Sequence, residues 1–247
     1  MTGDVVYNAV LQAMRVDQRG NALTADEFNT LSEIVNRRVM DHYCKNFEED
    51  IDSTDSLGFL KKIDQTLALS TGVASLPSDY YQMMGDPHYS DGGGVRRKID
   101  VVTSAESSER EYDYLTMSTV TYPTCVIGGQ SNDSYKYLQI NVYPTTITSI
   151  LLSYLRIPTT PFLDYYVTNA TTNYTFLTVS QSVTVTTAQT YRDGTTGSKT
   201  SVSVSWEWGI DDLPLIVAFF VEALGATLPD PLLIEVGAKD KAEITER

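Results

Sequence analysis

Between residues 137 and 156 the apolar positions change from every second residue to nearly every residue. Leu138, Ile140 and Val142 alternate with Gln139 and Asn141, which predicts a strand over 137–143 with one buried and one wetter face. Over 147–156, Ile150, Leu152 and Tyr154 point one way and Leu151 and Leu155 the other, so this second strand is expected to be covered on both faces. Pro144-Thr145-Thr146 separates the two runs, and together they read as a β-hairpin at the centre of a sheet. Pro158 and Pro161 end the second run, because proline has no amide to give to a ladder.

Elsewhere the period lengthens to that of a helix. Val6, Val10 and Met14 predict a first helix over 4–18, with Asp4 as its N-cap and Gly20 beyond its end. Thr24-Ala25-Asp26-Glu27 has the form of a capping box, with Leu23 and Phe28 placed for a hydrophobic staple. Phe28, Leu31, Val35, Val39 and Tyr43 then share one face of a helix over 25–47. Residues 54–69 read as a third helix, and Asp79 as the cap of a helical turn holding Tyr80, Tyr81, Met83 and Met84. A strand is expected over 99–102, a short helix from a second box at Thr103–Glu106 toward Tyr112, and a strand over 123–127. Residues 215–224 are apolar nearly all round, so this helix is expected to be buried or to lie at an interface. Asp211 or Asp212 can cap it, Pro214 suits its first turn and Gly225 its end. A last helix is expected from Pro229-Asp230-Pro231, finishing in the mixed charges of 239–247.

Residues 165–208 form an island rich in Thr, Ser, Val and Tyr. Leu177, Val179, Val183 and Val185 occupy odd positions, and Val202, Val204, Trp206 and Trp208 even ones, on either side of a turn at Arg192-Asp193-Gly194. This predicts a β-hairpin arm, or a small β-domain, with one apolar face. The face can pack on a core of its own or lie on a neighbouring subunit, since an isolated hairpin is marginal in water. On the second reading Val183, Val185, Val202, Val204 and Trp206 are subunit-interface residues. In the mixed-charge end, Lys239, Lys241 and Arg247 are candidates for fixing the register of a docked partner.

The 18 basic and 32 acidic residues give a net charge of −14. Duplex affinity comes mainly from Lys and Arg on phosphates, so this balance argues against a protein that grips DNA. It suits solubility, as in an ordinary acidic soluble protein, and it would also suit the wall of a channel through which DNA slides. Cys44 and Cys125 are the only cysteines, one in a helical and one in a strand-like pattern, and no disulfide is expected. The first ten residues lack a basic stretch followed by an apolar run, so no signal peptide is expected, nor a membrane span. Asp50, Asp52 and Asp55 resemble a calcium loop only loosely, for the third carboxylate is displaced and the glycine absent. Gly92-Gly93-Gly94 before Arg96, Arg97 and Lys98 lacks the spacing of a phosphate loop. The two histidines, His42 and His88, have no partners at catalytic or zinc spacing. An enzyme is therefore not expected.

Taken in order, these pieces resemble the head–tail connector proteins of tailed bacteriophages, the adaptor, neck or ring proteins. The order is N-terminal helices, the turn Leu76-Pro77-Ser78-Asp79-Tyr80, a strand over 98–103, a Glu-rich helix over 105–112, and the two runs of 137–161 with Tyr154-Leu155-Arg156-Ile157-Pro158. A junction from Trp208 through acidic residues to Pro214 then leads into the apolar helix and a turn over 225–230. The match covers residues 20–164 and 206–245, rests on the joint order of its pieces, and within the class is nearest to ring proteins of crAss-like phages. Residues 165–208 have no counterpart in the pattern.

The expected fold is α+β: a mostly antiparallel sheet from 97–164, flanked by N- and C-terminal helices, with the inserted β-hairpin arm. The expected division is a connector core of 1–164 and 209–247 and an arm or small domain of 165–208. The resemblance implies a cyclic homo-oligomer beneath the portal, commonly twelvefold, contacting the portal protein and other neck or tail proteins. DNA would pass without specific binding, and neither cofactor nor membrane is implied. The place of such a protein is the virion neck, and the host cytoplasm during assembly. A reading of another class is a β-rich module that binds carbohydrate or protein through the Thr/Ser/Tyr-rich block.

Overall fold

The structure, a computed structural model, describes residues 1–14, 23–45, 47, 55, 57–91, 94–130, 138–168 and 174–227. The chain divides into two compact units, Met1–Asp50 with Pro158–Arg247, and Ile51–Ile157. The class is α+β, with helices near both ends of the described chain and mostly antiparallel sheets between them.

The terminal unit begins with α1 (Gly3–Met14) and α2 (Ala25–Cys44). Asp4 lies in the first turn of α1, and Val6, Tyr7 and Val10 are its buried face. The box at α2 forms as expected: Thr24 Oγ1 accepts the Glu27 amide at 3.2 Å, and Glu27 Oε2 accepts the Thr24 amide at 2.9 Å. Leu23 and Phe28 are both buried beside it. Thr24→Ala is expected to cost about 1 kcal/mol by removing one side of this exchange, measured as a shift of the urea midpoint at constant slope.

The central unit contains β1 (Lys61–Ala68), β2 (Val73–Ser75), β3 (Tyr80–Met83), β4 (His88–Ser90), β5 (Arg96–Lys98), β6 (Asp100–Val101), α3 (Ser104–Tyr112), β7 (Thr124–Gln130), β8 (Leu138–Tyr143) and β9 (Ser149–Arg156). One sheet runs β1-β9-β4-β5 with β3 also on β9; the other runs β2-β8-β7-β6. Among the described residues only β6 and β7 pair in parallel.

The expected hairpin is not formed, because β8 and β9 belong to different sheets. Both edges of β8 are taken, by β2 and β7, while β9 pairs with β1 and with β3 and β4. Their apolar faces meet instead across one core: Ile140 and Val142 with Ala74 and Cys125, against Ile150, Leu152, Tyr154 and Tyr89. Alternation specifies which face of a strand is buried but not which strand lies beside it. The segment with Pro144 and its cis peptide bond therefore carries the chain from one sheet to the other.

Two further expectations are overturned here. Residues 61–68 of the expected third helix form strand β1, whose pairing with β9 supplies its backbone hydrogen bonds. Its ladder shifts register between Lys62 and Gln65, where Asp64 has φ 50° and its amide donates to Ser153 Oγ at 3.1 Å. Asp79 caps no helical turn, since Tyr80–Met83 is strand β3 against β9. The second box forms on one side only. Thr103 Oγ1 accepts the Glu106 amide, but the Glu106 carboxylate accepts from Arg110 at 2.6 Å.

The chain then completes the terminal unit with β10 (Asp164–Thr168), β11 (Tyr174–Leu177), β12 (Ser182–Val185), β13 (Gln189–Tyr191), β14 (Gly197–Thr200) and α4 (Leu213–Thr227). The sheets are β11-β10-β13 and the pair β12-β14. Leu177, Val185 and Tyr191 form a small core, with Tyr166 and Val183 packed on it. Residues 165–208 also pack on the helices of their own unit. The ring of Phe176 meets that of Tyr7 at 4.8 Å, and Trp206 meets Phe220 of α4 at 6.0 Å. Residues 165–208 belong to the same compact unit as the terminal helices. The apolar α4 is buried on Leu215, Ile216, Phe219, Phe220 and Leu224 as its pattern requires, and it runs through the buried Gly225 to Thr227 rather than stopping there.

Candidate functional site

Two of the pieces that enter the resemblance meet in the central unit. Leu76 is buried and Pro77 turns the chain, its carbonyl accepting the Tyr80 amide at 3.0 Å. The Asp79 carboxylate accepts from the Tyr154 hydroxyl at 3.0 Å across 75 residues of sequence, and the Asp79 carbonyl accepts the Ile157 amide at 2.7 Å. Tyr80 stands opposite Arg156 in the ladder, with its ring 5.7 Å from that of Tyr154. Burial, and then the bond to Asp79, pushes the Tyr154 hydroxyl up to about 12. This junction fixes β3 and the end of β9 in one register; its chemistry is that of a clamp.

The terminal unit holds a second polar centre, which the sequence reading did not single out. Asp164 is fully buried, at 0% exposure. Its carboxylate accepts from the Tyr191 hydroxyl, from Arg192 Nε at 3.0 Å, and from the amides of Val202 and Tyr165 at 3.0 Å each. The Asp164 amide donates to Ser203 Oγ at 2.9 Å, and Ser203 Oγ donates to the Leu177 carbonyl at 2.6 Å. Burial first, and the bond to Asp164 second, raises the Tyr191 hydroxyl above its ordinary value. The only sequence signal for this centre was an acid between Leu163 and Tyr165 in an otherwise uncharged stretch.

The proposed interface residues do not share one face. β12 and β14 pair residues of equal parity, Val183 opposite Lys199 and Val185 opposite Gly197. Val202 and Val204 lie beyond that ladder, and Val204 pairs with Phe162 instead. Val185 and Trp206 are buried inside the chain, Val183 and Val204 are half-buried, and Val202 is exposed. On the return limb the expected parity is inverted at 201–203, where Ser201 and Ser203 are buried and Val202 is exposed, and kept at Trp206 and Trp208, which are buried. The inversion follows from Asp164, which draws those serines and the Val202 amide inward. Lys239, Lys241 and Arg247 lie outside the described residues, as do Asp50, Asp52 and the last expected helix.

The basic strand β5 is matched by acid. Arg96 pairs with Asp64 at 2.7 Å, Arg97 with Asp91 at 3.0 Å and Lys98 with Asp86 at 2.9 Å. His42 lies edge-on to Tyr43 and Phe219, and His88 pairs with Lys98 in the ladder of β4 and β5. Among the described residues no group of three His, Cys, Asp or Glu side chains could hold a metal ion, and no helix is long and apolar enough to cross a membrane. Cys44 and Cys125 form no disulfide, and burial pushes the Cys125 thiol up to about 12.

Among the described residues, several large apolar side chains are exposed at the end of α3 and in the loop after it. Tyr112, Tyr114 and Leu115 are 92%, 89% and 90% exposed, with Met117, Val120 and Tyr122 also exposed. The sequence hides this, since these residues follow no helical or strand period. No family model matches the chain, and no curated protein matches its sequence.

The tyrosines give a pH dependence with a definite sign. Burial pushes Tyr7, Tyr154 and Tyr165 each up to about 12, from an ordinary value of 10.0. A raised folded-state value means that the unfolded chain loses these protons first. The stabilisation is therefore complete below pH 10 and lost as pH climbs toward 12. Thermal melts followed by circular dichroism are expected to show a nearly constant Tm from pH 8 to about 9.5 and a steep fall above it. A flat profile to pH 12 would remove these hydroxyls from the stability account.

Proposed function

We propose that the chain is a structural protein of a tailed-phage neck. It forms a homo-oligomeric ring that joins the portal to the tail and extends the DNA channel. The observation that carries this reading is the junction at Asp79 and Tyr154. The turn Leu76–Tyr80 and the segment Tyr154–Pro158 entered the resemblance as separate pieces of sequence. Asp79 and Tyr154 touch at 3.0 Å, and the ladder seats Tyr80 opposite Arg156, so the pieces act as one structural unit. The role is mechanical, with neither catalysis nor a cofactor: the ring holds the packaged genome behind it, docks the tail and lets DNA pass on ejection.

The charge supports the same reading. A surface of net charge −14, whose basic strand is occupied by Asp64, Asp91 and Asp86, offers few cations for release of phosphate counterions. Random duplex DNA is expected to show no retardation by the isolated protein at physiological salt, and retardation would overturn the picture of a non-gripping channel.

The test of the function is assembly with the portal protein of the same phage, imaged by negative stain. A ring of this chain seated on the portal, of the portal's own order or commonly twelvefold, is the expected result. Particles that stay small and separate from the portal would overturn it. Small particles that also retain a saccharide or a different protein would establish the β-rich binding module in its place.

A further inference from the structure

The turn between β13 and β14 holds an aspartyl-glycine pair, Asp193-Gly194. Such a pair is prone to rearrange without any enzyme. The glycine nitrogen can attack the aspartyl carboxyl carbon, because glycine has no side chain to crowd the approach. One water leaves and a cyclic succinimide forms. Water then reopens the cycle at either carbonyl and gives aspartate or isoaspartate, so the mass is restored while the backbone of the isoaspartate form gains a carbon. The attack needs a neutral carboxyl, whose hydroxyl leaves as water, and an amide nitrogen free to give up its proton.

The turn has a use for both residues. Gly194 has φ 79°, in the left-handed region that favours glycine. The Asp193 carboxylate closes the turn, its Oδ1 accepting the Thr195 amide at 3.0 Å and the Thr195 hydroxyl. Its Oδ2 accepts from Lys199 Nζ at 3.3 Å. Lys199 is itself held, for β14 sets it opposite Val183 and its ammonium lies 5.4 Å from the centre of the Tyr191 ring. These donors favour the ionised form, and the Thr195 hydroxyl first among them holds the Asp193 carboxyl below its ordinary value. The nucleophile is held as well. The Gly194 amide donates to the Tyr191 carbonyl at 2.8 Å, and the Tyr191 amide donates to the Thr195 carbonyl at 3.1 Å. Tyr191 is buried with its hydroxyl on Asp164, so this anchor belongs to the core of the unit.

We propose that this turn is a lock that keeps Asp193-Gly194 from rearranging to isoaspartate while the chain is folded, with Thr195 and Lys199 holding the carboxylate and Tyr191 the glycine amide. Isoaspartate at 193 would lengthen the backbone inside the connection between the sheets β11-β10-β13 and β12-β14. The lock matters most for a chain made once and kept for the life of a particle, as the phage-neck reading requires. The chemistry is independent of that reading, and its failure would leave the reading untouched.

The test follows isoaspartate at 193 in the full-length chain. Wild type, Thr195→Val, Lys199→Met and the double variant are held at mildly acidic pH and physiological temperature, each beside the same chain unfolded in urea. Peptides from a digest are read by mass spectrometry with electron-transfer fragmentation, which separates the two isomers. The other aspartyl-glycine pair, Asp91-Gly92, is followed in the same digests as an internal control. Folded wild type is expected to isomerise at 193 at least about tenfold more slowly than the unfolded chain, because the reaction waits on local opening. The double variant, with an unchanged circular dichroism spectrum, is expected to recover most of that difference at 193 and none at Asp91. Its rate is also expected to begin falling at a higher pH than that of wild type, since a carboxyl released from Thr195 and Lys199 ionises later. Either single variant is expected to move the rate and the profile the same way by a smaller amount. A folded wild type that isomerises as fast as the unfolded chain would overturn the lock. So would folded variants as slow as wild type with an unshifted pH profile, for then neither side chain holds the site.

Discussion

Asp164→Asn is expected to lower the stability of the chain by roughly 3 kcal/mol, as expected when one partner of a buried ion pair is removed. The value belongs at the lower end of that range because the Arg192 side chain is 37% exposed and can turn toward water. The reason for a loss so large from a change of one atom is that every partner of the carboxylate is a donor. Tyr191, Arg192, Val202 and Tyr165 all give hydrogens to Asp164. An amide nitrogen in place of either oxygen sets donor against donor and leaves a buried group unsatisfied. The consequence is local as well as global, because Asp164 ties β10 to β13 and to the segment 201–203. In urea the midpoint is expected to fall with little change of slope. A variant within 0.5 kcal/mol of the wild type would mean that water or a rearranged side chain replaces the network, and that the inversion of serines and valines on the return limb has another cause.

Phe220→Ala is expected to cost roughly 4 kcal/mol, in the range for removing a buried ring whose cavity cannot collapse. Phe220 is fully buried on α4, stacked on Phe28 of α2 at 4.9 Å with 5° between planes, and edge-on to Trp206 at 6.0 Å. Those three rings are held by three separate segments, two helices and the strand-like run before α4, so none can move inward without breaking its own contacts. Phe220→Leu keeps most of the volume and is expected to cost less than about 1.5 kcal/mol. Both tryptophans of the chain are buried, so their fluorescence reports the outcome: a red shift at denaturant concentrations where the wild type is still folded. Asp164 and Phe220 share no partner in these contacts, and the two losses are expected to add. Together they reach the 5–15 kcal/mol typical of a whole domain, so the double variant is expected to be largely unfolded at 37 °C. A double variant with a normal melting curve would sink both attributions.

The helices were legible in the sequence because their signals are local. The box at Thr24 and Glu27, the stripe from Phe28 to Val39, and the all-apolar run of α4 each lie within a few turns, and a capping bond or a buried face needs no distant partner to be specified. The faces of β8 and β9 were legible for the same reason, since alternation is written residue by residue. Their neighbours were not. Whether two strands joined by Pro144-Thr145-Thr146 pair with each other or with others depends on which edges are already taken, and here β2, β7, β1, β3 and β4 take them. Residues 61–68 went astray likewise: KKIDQTLA has no decisive period, and the edge of β9 decided it.

Of the candidate sites, the sequence by itself determined the acidic balance and the two motifs that meet at Asp79 and Tyr154. Their meeting, 75 residues apart, was a matter of tertiary structure. The apolar positions of 165–208 were read from side-chain polarity alone, which put valines inward and serines outward. The folded chain reverses this at 201–203, because the buried Asp164 carboxylate takes the Val202 amide among its donors and the Asp164 amide in turn bonds Ser203 Oγ. The exposed loop 112–122 shows the same limit from the other side. Its sequence names tyrosines and a leucine but cannot say whether a core awaits them. Only the fold, which satisfies the loop's backbone locally and gives those side chains no cover among the described residues, left them exposed.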